Sequence, residues 1–176
     1  MDPFNHQRLV QIVRDATVEV CSTMLALEMS EEEAYLDQKS KASPEGVLSF
    51  VGMAGSWVGT GALAMSAPFA CKLSGNFLMG EYAAVDDEVL DAIGEITNMI
   101  IGNVKTKLEE ELGPMGLSIP TVIYGRNFTS RTLGSHEWTV VPFTFEGEKL
   151  QVQVCIAPAR ESRSSRPSLV PVAVAT

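Results

Sequence analysis

Residues 86–112 (DDEVLDAIGEITNMIIGNVKTKLEEEL) constrain this chain more than any other stretch. Asp86 or Asp87 can cap a helix, and Glu88 adds a charge that suits a helix N-terminus. Gly113-Pro114 stops it. Between these signals Val89, Ile93, Ile96, Ile100 and Val104 recur at helical spacing and form one apolar stripe. A helix this long with one apolar face needs a packed layer opposite that face. Asp91, Glu95, Asn98 and Gly102 form a second, polar stripe roughly on the other side, with Glu95 and Asn98 one turn apart.

The rest of the chain supplies the layer. Asp2-Pro3 predicts a helix start, and Leu9, Ile12, Val13, Ala16, Val20 and Met24 predict a helix from about Pro3 to Glu28. The acidic-then-basic segment from Ser30 to Pro44 reads as a loop. Two strands are expected over Val47–Met53 and Trp57–Met65, then a short helix from Ser66-Ala67-Pro68 to about Met79. After the long helix, strands are expected at Leu117–Tyr124, Glu137–Phe145 and Lys149–Ile156, with a tight turn at Glu146-Gly147. This order predicts an α+β fold: two pseudo-repeated helix-plus-strand units, with long helices packed on one face of an antiparallel-rich sheet.

A chain of 176 residues can bury a core that needs no disulfide or metal staple. Cys21, Cys71 and Cys155 are far apart and form no metal-binding pattern, which reads as three buried thiols in a reducing compartment. The net charge of −9 argues against nucleic acid or an anionic membrane as the main partner. No apolar run is long enough to span a bilayer and no secretory signal is visible, so a cytoplasmic protein is expected. From Ala157 the composition shifts to Ser, Pro and Arg. Residues 1–156 read as the folded domain, carrying −11, and 157–176 as a disordered tail carrying +2.

The polar stripe has two readings. Most such faces are simply solvated. Against that, Asn is a poor helix-interior residue, and Gly94 and Gly102 each cost about 1 kcal/mol relative to Ala. The glycines would let another surface approach, or would let the helix pack on its own sheet. An internal echo accompanies the stripe. Asp15, Glu19, Ser22 and Pro44 stand to Asp91, Glu95, Asn98 and Pro120 at a constant offset of 76 positions. If the two units are copies, the first has a hydroxyl where the second has a carboxamide, which makes the second the working one. His6 and His136 are isolated, and no HExxH, GxSxG, Walker or GxGxxG pattern occurs, so no metal or cofactor of the chain's own is expected.

The run Asp91-Ala-Ile-Gly-Glu95-Ile-Thr-Asn98-Met-Ile-Ile-Gly102 resembles the signature of the CheC/CheX/FliY chemotaxis phosphatases. That signature is Asp or Ser, three residues, Glu, two residues, Asn, and a downstream Pro. The resemblance covers about residues 4–157, and its single complete site is most like the CheX branch. Asn98 and Pro120 are separated by one residue fewer than in the family's pattern. The resemblance implies dephosphorylation of a phosphorylated CheY-like receiver domain, with Mg²⁺ held by that partner. Asn98 would orient the attacking water, and Glu95 would pair with the receiver's lysine. Asp91, Gly94 and Gly102 would border the contact. It also implies a homodimer joined through sheet edges. The alternative is a non-catalytic receiver-binding or flagellar-switch module of the same fold.

Overall fold

The computed structural model describes residues 5–37, 45–126 and 137–159. Helix α1 spans His6–Met24, followed by β1 (Ser30–Glu31), β2 (Tyr35–Asp37), β3 (Glu45–Gly55), β4 (Trp57–Ser66) and α2 (Ala67–Leu78). Helix α3 spans Asp87–Leu112, followed by β5 (Met115–Leu117), β6 (Thr121–Arg126), β7 (Trp138–Phe145) and β8 (Glu148–Pro158). All the strand pairs are antiparallel, and the backbone of the sheet runs β1-β7-β8-β4-β3-β5, with β2 also on β7 and β6 also on β3.

This order is symmetric about the central β4–β8 pair. Each unit is a helix, a split edge strand and a hairpin, and each unit's split strand closes the other unit's hairpin. β1 and β2 lie end to end along β7, as β5 and β6 lie along β3. The residues facing the two gaps are Pro142 and Gly52. A proline fits there because it has no N–H to donate to the sheet. The backbone nevertheless crosses each gap in the same way: Glu32 N donates to the Pro142 carbonyl (3.0 Å) and Ser118 N to the Gly52 carbonyl (2.9 Å). Ser118 is therefore the counterpart of Glu32, an offset of 86 rather than 76. The difference arises because α3 runs about three turns beyond the residue matching the end of α1. The counterpart of Pro120 is thus Ala34, not Pro44, whose position lies outside the described residues.

Residues from the inner face of the sheet and from α1, α2 and α3 share one core. Ile93, Ile96, Ile100 and Val104 of α3 meet Val13 and Ala16 of α1, Phe69 and Leu73 of α2, and Val51, Leu63, Val152 and Val154 of the sheet. Leu48, Ala64, Trp138 and Val140 form a smaller cluster on the opposite face. The Glu146-Gly147 turn has positive φ at both residues (49° and 85°), which suits a two-residue hairpin between right-twisted strands.

Five expectations are corrected. The N-cap of α1 is Asn5, whose Oδ1 accepts from Gln7 N, and not Asp2, which lies outside the described residues. The helix ends at Met24 rather than Glu28, because Ala26 turns left-handed (φ 52°) and Leu27 N donates back to the Cys21 carbonyl. The segment after Ser30 contains β1 and β2, since edge pairing is made by backbone and tolerates exposed acidic side chains. The expected strand Leu117–Tyr124 is two strands broken at residues 118–120, where Pro120 interrupts the ladder. At the other end β8 reaches Pro158, pairing Ala157 with Val58, two residues past the compositional boundary. Residues 160–176 lie outside those described.

Candidate functional site

The candidate site is the polar stripe of α3, and its geometry begins with what fixes that helix. Asp86 Oδ1 accepts from Val89 N (2.9 Å), and the Tyr82 hydroxyl donates to Glu88 (2.8 Å). The Glu88 carboxylate pushes the Tyr82 phenol above its usual range, chiefly through that hydrogen bond. At the other end Glu109 accepts from Lys105 Nζ and from Met115 N, each at 2.8 Å. These bonds, the lysine first, hold the Glu109 carboxyl below the usual range.

Rotation about the helix axis is set from beneath. Thr97, wholly buried, lies 2.7 Å from Ser49 Oγ on β3 and 2.7 Å from the Ile93 carbonyl. Ile101 sits directly on Gly61 of β4, where an added Cβ would come within 2.5 Å of Ile101 Cγ2. With Thr97 and Ile101 pointing into the sheet, Glu95 and Asn98 must point out. Both are exposed, as is Asp91. Among the described residues no hydrogen bond or ion pair engages any of the three side chains. An unengaged carboxylate and carboxamide one turn apart on a rigid helix can meet a cation and a water on a facing surface.

The glycines divide. Gly94, expected at the partner contact, is buried: a Cβ there would lie 3.5 Å from Val122 Cγ2 and 3.6 Å from Pro120 Cγ, so the residue serves packing within the chain. Gly102 is half-buried, with Leu117 Cδ1 nearest at 3.8 Å. Together they let the β5–β6 segment run along the flank of α3, with Leu117 at Gly102 and Pro120 at Gly94. Pro120 thereby acquires a place beside the signature helix.

The matching stripe on α1 is built differently. Ser22 Oγ donates to the Glu19 carbonyl (3.2 Å), and Asp15 accepts from Gln11 and lies 3.8 Å from Lys107 Nζ. The hydroxyl and the acid are turned to their own chain. The three thiols are buried, and desolvation pushes Cys21 up to about 12 and Cys71 and Cys155 upward. Among the described residues no group of three His, Cys, Asp or Glu side chains could hold a metal, and no helix is long and apolar enough to cross a membrane. Sequence reasoning missed Thr97 and Ser118. A buried mid-helix Thr leaves no pattern, but Pro120 inside an apparent strand was a signal for the break that Ser118 secures.

Comparison with known proteins supplies the context. The family model described as chemotaxis phosphatase CheX matches residues 47–144. The CheY-P phosphatase CheX of Thermotoga maritima is 30% identical over 92 residues, which cover 52% of this chain and 59% of that protein. The match therefore spans less than two thirds of the relative's length. Among solved structures, the chemotaxis protein CheX of Vibrio vulnificus superposes with a TM-score of 0.73 at 25% identity, covering 85% of this chain and 99% of that one. A CheX from Borrelia burgdorferi, solved as a CheX–CheY–BeF3–Mg²⁺ complex, has a TM-score of 0.73 at 28% identity, covering 84% of this chain and 97% of that one.

Proposed function

The chain belongs to the family of the chemotaxis phosphatase CheX, and from that premise we propose that it hydrolyses the aspartyl phosphate of a CheY-like receiver domain. The observation that carries this reading is the exposed, unengaged Glu95–Asn98 pair on a helix whose rotation is fixed by Thr97 and Ser49. An acyl phosphate is already labile, so the catalyst need only place water in line with the bond to the leaving carboxylate. The Asn98 carboxamide accepts from and donates to that water without adding negative charge beside the phosphoryl group. The water oxygen bonds to phosphorus and the aspartate–phosphorus bond breaks. The aspartate leaves as carboxylate, and the water's protons depart with inorganic phosphate.

Glu95 fixes the register by pairing with the receiver's lysine. Asp91 and Gly102 border the contact. In this reading Mg²⁺ sits on the receiver, which is supported by the presence of Mg²⁺ in the Borrelia complex. We also propose a homodimer through a sheet edge, in the cytoplasm where receivers work. Light scattering tests the stoichiometry.

The deciding experiment is loss of phosphate from receivers phosphorylated with acetyl phosphate, with wild type and Asn98→Ala. Wild type shortens the lifetime of its cognate receiver; the variant binds it within about threefold of wild type but loses the acceleration, by about a hundredfold or more. Binding without acceleration by wild type would make the chain a receiver-binding module instead.

A further inference from the structure

Ile119 is 87% exposed, although its backbone is firmly held. Its backbone is held from both sides. Ser118 N donates to the Gly52 carbonyl, and Gly52 N donates to Ser118 Oγ (2.9 Å each). Pro120 restricts the residue before it, Ile119, and rests on Gly94. Leu117 rests at Gly102 and Pro120 at Gly94, which brackets the segment along α3. Those two glycines are eight positions apart, so the segment runs beside about two helical turns. Ile119 therefore stands beside the middle of that stretch, level with the turn that carries Asn98.

The fold itself does not ask for a hydrophobe there. The other unit has the same gap, crossed by the same backbone bond from Glu32 N to Pro142 O. In that unit the position matching Ile119 is Glu33, exposed and charged. The apolar residue thus accompanies the unit that keeps the carboxamide.

We propose that Ile119 is a docking residue for the receiver, packing against an aliphatic or aromatic side chain next to the phosphorylated aspartate and so selecting among receivers. This rests on the phosphatase reading above and extends its interface from α3 onto the β5–β6 segment. The acidic stripe meets the receiver's lysine, and Ile119 seals one flank against water. Exclusion of water from the rim strengthens the polar contacts inside.

The test uses the full chain and the receiver that wild type dephosphorylates, phosphorylated with acetyl phosphate. Ile119→Asp raises KM about tenfold or more and leaves kcat within about twofold. Ile119→Leu restores KM. Glu33→Ile on the other unit changes neither constant. The thermal midpoint of Ile119→Asp stays at the wild-type value, because the side chain contributes little to the core. Binding to the same receiver loaded with beryllofluoride and Mg²⁺ weakens in parallel. An unchanged KM and unchanged binding in Ile119→Asp overturn the proposal while leaving the phosphatase reading standing. A fall in kcat alone also overturns it, since docking would then not be the role. If wild type accelerates phosphate loss from no receiver, the phosphatase reading fails, and this inference with it.

Discussion

Thr97 of α3 and Ser49 of β3 meet at 2.7 Å with both side chains wholly buried, so one hydroxyl pair ties the signature helix to the sheet. Removing one partner strands the other. Thr97→Val should lower the unfolding free energy by about 1–3 kcal/mol, and Thr97→Val with Ser49→Ala should recover much of that loss. Urea titration of the four-member cycle measures it. The single variant should also lose catalytic rate, because Glu95 and Asn98 depend on the helix's rotation.

Gly94 offers a test of opposite sign. A methyl there meets Pro120 and Val122 at ordinary contact distance, so Gly94→Ala should gain up to about 1 kcal/mol of helix propensity and keep activity. Gly94→Leu overfills the same space and should cost about 1–3 kcal/mol by displacing Pro120. Thermal melts of both variants, paired with phosphatase assays, check this. A partner pressed directly against Gly94 would instead make the alanine inactive.

Charge reversal at Glu95 probes the register. Glu95→Lys sets like charges face to face and should weaken receiver binding about a hundredfold or more, as read by titration calorimetry. Ser22→Ala, on the other helix, should leave turnover within about twofold of wild type. Its hydroxyl donates to the Glu19 carbonyl, and a hydroxyl cannot present a carboxamide to a partner.

Acid should expose the role of Glu109. Its folded-state value lies below the ordinary 4.5, with Lys105 the first cause and Met115 N the second. The carboxylate therefore favours the folded state fully above about 4.5, and that contribution disappears as pH falls through the lowered value. Glu109→Gln should be less stable than wild type at pH 7, with the gap closing towards pH 3. Denaturation midpoints measured across that range check the trend.

Long-range caps and stripes made much of the fold readable. α3 begins and ends where Asp86 and Gly113 predict, and the hairpin at Glu146-Gly147 falls where a positive-φ turn must be. The split edge strands were hidden because β1 and β2 bury almost none of their side chains; their pairing is a matter of backbone, which leaves no periodicity. The end of α1 was hidden because Ala26 takes a left-handed turn that its residue type does not advertise. At the site, Glu95 and Asn98 were legible from spacing, and the faces of α3 then followed. What Gly94 faces was not legible, since a glycine permits either a partner or the chain's own Pro120, and only the tertiary path chooses. Thr97 carried no signal for the same reason: its partner is 48 positions away.

The exchange of split strands between the units has a consequence for what can change over time. The unit that lacks the carboxamide cannot be shed, because its β1 and β2 close the hairpin that follows α3, and its α1 meets α3 at Arg8–Glu111. Its exposed helix face is free to vary while its backbone is held constant by its neighbour's needs. A unit of this kind serves as scaffolding, and its surface is the region of the molecule where new contacts can be tried at least risk to the proposed site.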